Sequence, residues 1–321
     1  MRTLIGTCVS ALVLTMASQA DAFTAYVSNE KGNTVSVIDL DKMEVTATVP
    51  VGQRPRGIIM SGDKSQVYIC TSDADHIEVL DTATLKVTHT LPSGPDPELF
   101  TLAPDGKTLY VANEDNNMVT VLDVDSGDVA TEIPVGTEPE GMGVSPDGKW
   151  LVNTSETTSM AHFIDTSSLE VVDSVLVDTR PRYARFTPDG SRVWVSSEVG
   201  GTVAVIDAAT RKILHKIEFA VQGLRKETIQ PVGIAITPDG KTAFIALGPA
   251  NRIAVVDTES FEVKDYLLVG QRVWQLAFTP DAKLLLSANG ESNDVSVIDV
   301  AALKVLKSIP VGELPWGVAI K

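Results

Sequence analysis

Charged and aromatic residues flank a position, usually proline, that recurs along this chain. In order the flanking pairs are Arg54/Arg56, Asp96/Glu98, Glu138/Glu140, Arg180/Arg182, Gln230/Val232, Arg272/Trp274 and Leu314/Trp316. Carboxylate pairs suit general acid–base work or a hard cation such as Ca²⁺. Arginine pairs suit forked contacts to carboxylates, and the two tryptophans offer stacking faces. Glu114 and Glu156, with Glu30, Asp73 and Glu198, occupy a second recurring slot and add to the acidic set. Two successive frames thus carry a double acid, the frame on each side carries a double arginine, and the rest are mostly apolar to aromatic.

The elements that must hold these residues are legible as a repeat. The runs VSVID, IEVLD, VTVLD, AHFID, VAVID, IAVVD and VSVID close on Asp39, Asp81, Asp123, Asp165, Asp207, Asp257 and Asp299, at intervals of 42, 42, 42, 42, 50 and 42 residues. Pro55, Pro97, Pro139, Pro181, Pro231 and Pro315 keep the beat, with Val273 the departure. Tyr26, Tyr68, Tyr110, Trp194 and Phe244 keep another phase of it. One copy reads GMGVS, WLVNT, AHFID and VVDSVLV, separated by SPDG, SETTS and TSSLE. Proline presets φ and glycine accepts positive φ, so Pro-Asp-Gly marks a turn, and the recurring Asp starts another. Four short strands in a repeat near 42 residues predict a propeller blade. The expectation is an all-β, seven-bladed β-propeller with four antiparallel strands per blade. FTAYVSN reads as a second strand and WGVAIK as a first, so the two termini clasp in one blade and leave no open sheet edge.

Composition narrows the partners. A formal charge of −16 argues against a nucleic-acid backbone. Met1-Arg2, the apolar run LIGTCVSALVLTMA and the small residues of SQADAF read as a secretory signal over 1–22, cleaved after Ala20 or Ala22. The domain is then 23–321, exported, periplasmic in a Gram-negative host, without a membrane span and monomeric. Cys8 falls in the signal, which leaves Cys70 alone in QVYICTS, where it reads as a core thiol. His76, His89, His162 and His215 read as scattered surface or edge residues that form no metal set. CxxCH, GxSxG, HExxH and a phosphate-binding glycine loop do not occur.

Runs such as TLYVANEDNNMVTVLDVDSGDVATEIPVG followed by SPDGKWL resemble the YVTN β-propeller repeat of bacterial secreted proteins. Seven uninterrupted copies after a signal are similar to the PQQ-dependent catabolism-associated subgroup. That resemblance implies an accessory to periplasmic quinoprotein alcohol oxidation.

Blade geometry puts the VGxxP connections and the second-to-third-strand loops at one mouth of the channel, with the PDG turns opposite. Three readings of the charged ring stand. Arg56–Glu98 and Arg182–Glu140 are interblade ion pairs, worth about 0–1 kcal/mol each if exposed. Alternatively, Arg56, Arg182 and Arg272 with Trp274 and Trp316 hold a planar polycarboxylate such as PQQ. In the third, the acidic arc docks a basic partner by electrostatic steering, for instance a quinoprotein dehydrogenase or its electron acceptor. The segment FAVQGLRKETIQ holds the extra eight residues of the long interval and enlarges a loop on the same mouth. Taken together, the expectation is a non-catalytic binding protein, with no metal and no covalent cofactor. Its site comprises Arg54, Arg56, Glu98, Glu114, Glu138, Glu140, Glu156, Arg180, Arg182, Arg272, Trp274 and Trp316. The alternative is a lactonase-like hydrolase, as some seven-bladed propellers are, with Glu114, Glu140 and Glu156 as acid–base candidates.

Overall fold

A computed structural model describes residues 23–321; the expected signal at 1–22 lies outside the described residues. The described residues form seven four-stranded antiparallel sheets. Blade 4 runs Pro139–Val144, Trp150–Ser155, Met160–Asp165 and Glu170–Leu176, innermost strand first. The expected strands of that copy are all present. Turn chemistry ends each one. In blade 1 Asp39 Oδ1 accepts the N–H groups of Asp41 and Lys42, both at 3.0 Å. In the PDG turn Asp147 accepts the Ser145 hydroxyl at 2.7 Å and the Lys149 N–H at 3.2 Å, while Gly148 takes a φ of 73°.

Blade 1 is closed by both ends of the domain. Pro315–Ile320 pairs antiparallel with Thr24–Asn29, Val318 opposite Val27, and Thr24 and Lys321 exchange backbone hydrogen bonds of 3.2 and 2.8 Å. The core lies between neighbouring blades. Val152 and Phe163 of blade 4 pack in one buried cluster with Ala184, Val193 and Val195 of blade 5. The recurring aromatics Tyr26, Tyr68, Tyr110, Trp194 and Phe244 are all buried in such layers. Cys70 is buried too, and burial pushes its thiol pKa well up. Among the described residues no helix is long and apolar enough to cross a membrane.

The inner strands approach very closely. The third positions of the recurring frame run Gly57, Leu99, Gly141, Tyr183, Gly233, Gln275 and Gly317 around the ring, small alternating with large until the two glycines meet at the clasp. A Cβ on Gly57 would lie 2.5 Å from the Glu98 carbonyl oxygen, and one on Gly233 2.6 Å from that of Trp274. Any side chain there would push two blades apart.

Two expectations need correction. His162 is buried rather than at an edge: Nε2 accepts the Gly136 N–H at 3.0 Å, Nδ1 meets Ser174 Oγ at 2.7 Å, and burial lowers its pKa. It is a neutral, structural imidazole. The inserted segment carries a 3₁₀ turn at Lys226–Thr228, anchored by buried Phe219 and Ile229. Blade 6 has a shortened inner strand, Ile234–Ile236, so Gln230 and Val232 precede it instead of opening it.

Candidate active site

Local backbone rules set the mouth. At six of the seven recurring positions the residue before the proline or its substitute (Arg54, Asp96, Glu138, Arg180, Arg272, Leu314) sits in the left-handed region, with φ from 51° at Asp96 to 61° at Arg180; Gln230, before Pro231, does not. That conformation is uncommon for residues other than glycine. A repeating bond supports it: the N–H groups of Arg54, Glu138, Arg272 and Leu314 donate to Oδ1 of Asn33, Asn117, Asn251 and Asn293 at 2.8–3.1 Å, and Asp96 N–H does so to Asp75. The loop acids are placed by backbone as well. Glu114, Glu156 and Glu198 donate their N–H groups to the carbonyls of Asp96, Glu138 and Arg180 at 2.8–3.0 Å.

Their side chains meet in one ion network. Arg54 reaches Asp96 Oδ1 at 2.7 Å and Glu98 Oε1 at 2.8 Å. Arg56 bonds Glu98 and lies 3.1 Å from Glu30. On the other side of the acids Arg182 bonds Glu156 and stands 3.2 Å from Glu140 and 3.7 Å from Glu198. Arg180 Nε meets Glu156 at 2.8 Å and Glu198 at 3.3 Å. Arg272 bonds Glu198 at 2.7 Å and Gln230 at 2.8 Å. The expected pairs Arg56–Glu98 and Arg182–Glu140 therefore both form. They are not the weak exposed pairs of the sequence reading, because Glu98, Glu140 and Arg182 are buried.

Burial works against the charge of Glu98, yet Arg56 and Arg54 outweigh it and hold the carboxyl below its usual range. Glu140 is pushed well up by burial, which Arg182 eases only in part against the added charge of Glu98. Neither Glu140 oxygen has a hydrogen-bond partner among the described residues. Shut inside the network, Glu140 is unsuited to the acid–base role expected of it.

The aromatic arc closes on itself. Trp274 and Trp316 stack with ring centroids 6.4 Å apart. Arg56 lies over Trp316 at 5.7 Å, and Arg182 and Arg272 lie over Trp274 at 5.6 and 4.2 Å. Trp316 is 1 % exposed. The arginines and indole faces that a planar polycarboxylate such as PQQ requires are thus engaged within the protein, and they do not fit that group.

Glu114 stands apart. It makes no ion pair among the described residues, and its carboxyl is raised to about 7, first by burial and then by Glu98, Asp96 and Glu156. Asp96 is raised to about 6, by burial and by Glu98. Glu114, Glu138, Glu156 and Arg180 line a mouth groove of about 340 Å³ with Thr157, Thr179 and the exposed Val199. Asp96, Glu98 and Glu114, and also Glu114, Glu138 and Glu156, bring carboxylate oxygens within 4.8 Å of one another, a donor set suited to a hard cation. A wider hollow of about 580 Å³ lies among the PDG turns of blades 5 and 6. Its Asp189, Asp239 and Asp257 are committed to turn hydrogen bonds.

Comparison with known proteins places this arrangement. The model of the choice-of-anchor I domain matches residues 115–303, more than half of the chain. The chain belongs to that family. A second model, a lactonase with a seven-bladed β-propeller, matches residues 16–131. No curated protein matches the chain. Among solved structures this choice-of-anchor I protein resembles hydrazine synthase of Kuenenia stuttgartiensis, at 22 % identity and a TM-score of 0.80, over 92 % of this chain and 100 % of that one. A Bacteroides uniformis protein assigned as a 6-phosphogluconolactonase is 19 % identical with a TM-score of 0.77, over 94 % and 100 % of the two chains. Its counterpart in Bacteroides fragilis is 20 % identical with a TM-score of 0.75, over 95 % and 99 %.

These matches correct two expectations, that the protein is an accessory to quinoprotein oxidation and that it is not an enzyme. The lactonase model and the two Bacteroides structures favour the hydrolase alternative. The blade repeat is specific for architecture and carries little information on chemistry, and the accessory reading leaned on the repeat.

Proposed function

We propose that this protein is a lactonase-type hydrolase whose site is the acidic groove at the channel mouth, with Glu114 as general base. One observation carries the reading: Glu114 lines an open groove, lacks a cation partner among the described residues and has a pKa of about 7. A base poised near the working pH combines a useful ionised fraction with strong proton affinity. Ionised Glu114 takes a proton from a water, whose oxygen attacks the lactone carbonyl carbon. The guanidinium of Arg180, nearly half exposed at the groove, faces the oxyanion that develops. Collapse breaks the ring C–O bond, and the proton held by Glu114 passes to the leaving alkoxide, giving a hydroxy acid. Glu138, hydrogen-bonded by the Thr157 hydroxyl, and Glu156, tied to Arg180 and Arg182, shape the groove.

With carboxylates this dense, an uncharged lactone suits the groove better than a phosphorylated one. The test compares hydrolysis of glucono-δ-lactone and its 6-phosphate by the wild type and Glu114→Gln. Wild-type turnover of the neutral lactone should rise with pH through about 7 and fall by about 10²–10⁴-fold in the variant. Equal turnover by a folded Glu114→Gln overturns the assignment. The YVTN-type resemblance remains a statement about the blade. Export is part of the same proposal, supported by the basic start, apolar run and small residues of the N-terminus. A secreted chain beginning at Asp21 or Phe23 is the expected result of N-terminal sequencing, and retention of Met1 in an exported chain would refute cleavage.

A further inference from the structure

Beyond the tryptophan pair the central channel holds a cavity of about 290 Å³, to which all seven inner strands contribute. Most of the side chains that line it are apolar, Ile58, Phe100, Met142, Leu276 and Phe278 among them, while Tyr183, Gln275 and Arg185 bring polar groups to it. The mouth end is shut by buried Trp316, stacked on Trp274 beneath Arg56. Arg185 is the one charged side chain lining this cavity. It belongs to the inner strand Pro181–Phe186 and is exposed, so it marks the end that meets solvent. The arginines of the ion network each face several carboxylates or share one, whereas Arg185 makes no ion pair among the described residues.

A channel cavity lined mainly by apolar side chains, with a single unpaired guanidinium at its open end, has a definite chemical complement, an anionic head on an apolar body. We propose that the channel binds a medium-chain monocarboxylate, its carboxylate on Arg185 and its alkyl chain along the apolar wall toward Trp316. Trp316 occupies the same frame position on its inner strand as Arg182 does on the inner strand of blade 5, three residues before Arg185, which at about 3.3 Å per residue sets a depth of roughly 10 Å along the channel. The net charge of −16 opposes any anion at long range, and binding rests on the local pair and on apolar burial. The indole N–H of Trp316 is buried without an acceptor among the described residues, which makes this tryptophan a sensitive reporter of the far end. The tryptophan pair separates this site from the hydrolytic groove, so the inference does not depend on the proposed activity.

The test titrates decanoate into the full chain by calorimetry and by tryptophan fluorescence, beside decyltrimethylammonium, a cation with the same alkyl chain. Single-site binding of decanoate, weakened about tenfold or more by Arg185→Gln and blocked by Ala277→Phe, is the expected result. Glu114→Gln should leave decanoate binding unchanged. Thermal melting of each variant verifies folding, and Arg185, exposed and unpaired, is not needed for it. Absence of saturable binding, equal affinity in Arg185→Gln, or equal binding of the cation overturns the proposal.

Discussion

Replacing Glu114 by glutamine removes a charge while keeping the shape of the side chain. The structure places this carboxyl at a pKa of about 7 against a reference of 4.5, because burial strips its water and Glu98, Asp96 and Glu156 add like charge. At 1.36 kcal/mol per unit the shift corresponds to ~3 kcal/mol. Solvent screening of a partly exposed group brings the expected effect to about 1–3 kcal/mol. The sign follows from proton binding. Between pH 4.5 and 7 the folded chain keeps a proton that the unfolded chain has released, so stability falls as pH rises through that window. Glutamine has no such dependence. Glu114→Gln should match the wild type near pH 4 and exceed it by about 1–3 kcal/mol near pH 8. Urea denaturation at the two pH values, with m-values verified as equal, measures the difference. A gap that is absent or inverted near pH 8 refutes the view of Glu114 as a charge held against its surroundings. Stability gained together with activity lost is the pattern expected of a functional group.

The same urea assay separates two buried glutamates. Glu98→Gln takes a charge from two arginines, Arg54 at 2.8 Å and Arg56, and should cost about 3–5 kcal/mol. Glu140→Gln breaks a single ion-pair contact, to Arg182 at 3.2 Å, which keeps Glu156 and Glu198; it should cost under about 1 kcal/mol or stabilise, and the reverse order contradicts the network described above. Deleting 315–321 removes the inner strand of blade 1 and exposes the edge of Thr24–Asn29. Loss of the single cooperative melt, with aggregation, is the expected outcome, whereas an unchanged melting temperature would mean that the clasp contributes nothing.

The fold was legible because its markers are local. Asp39 must accept from the next two or three N–H groups wherever this turn occurs, and Tyr68 must fill a layer of fixed width, so both recur on one beat. Another marker was present on the same beat but unread: Asn33, Asp75, Asn117, Asn251 and Asn293, each of which accepts the N–H of a mouth residue 21 positions on. The candidate site was legible as a set of residues and not as depths. Arg180 and Arg182 look equivalent beside Pro181, yet the first is nearly half exposed and the second is 5 % exposed. Which carboxylate lacks a cation is a census over several blades, and which tryptophan face is free depends on arginines from other copies. Spacing within one chain does not report either property.

The opposite charges around Pro139 and Pro181 follow from the close approach of the inner strands. Gly57 leaves no room for a side chain against the Glu98 carbonyl, and Gly141 none against that of Arg182. With the backbones this near, the residues just before those glycines, Arg56 and Glu140, are brought against Glu98 and Arg182 of the next blade. Once one residue at such a step is charged, its neighbour must carry the opposite charge, because a buried charge left unpaired is costly. The step between them is different. Glu98 and Glu140 follow one another around the ring with no arginine between: the charge of Glu98 adds to burial in raising the pKa of Glu140, and Glu98 is held below its usual range against its own burial by Arg56 and Arg54 first, with Arg182 adding to them. Above Glu98 stand Asp96, raised to about 6, and Glu114, raised to about 7. Pairing explains the arginine–acid steps without any appeal to function. The acid–acid step gains nothing from pairing, and it is beside this step that Glu114 faces the open groove.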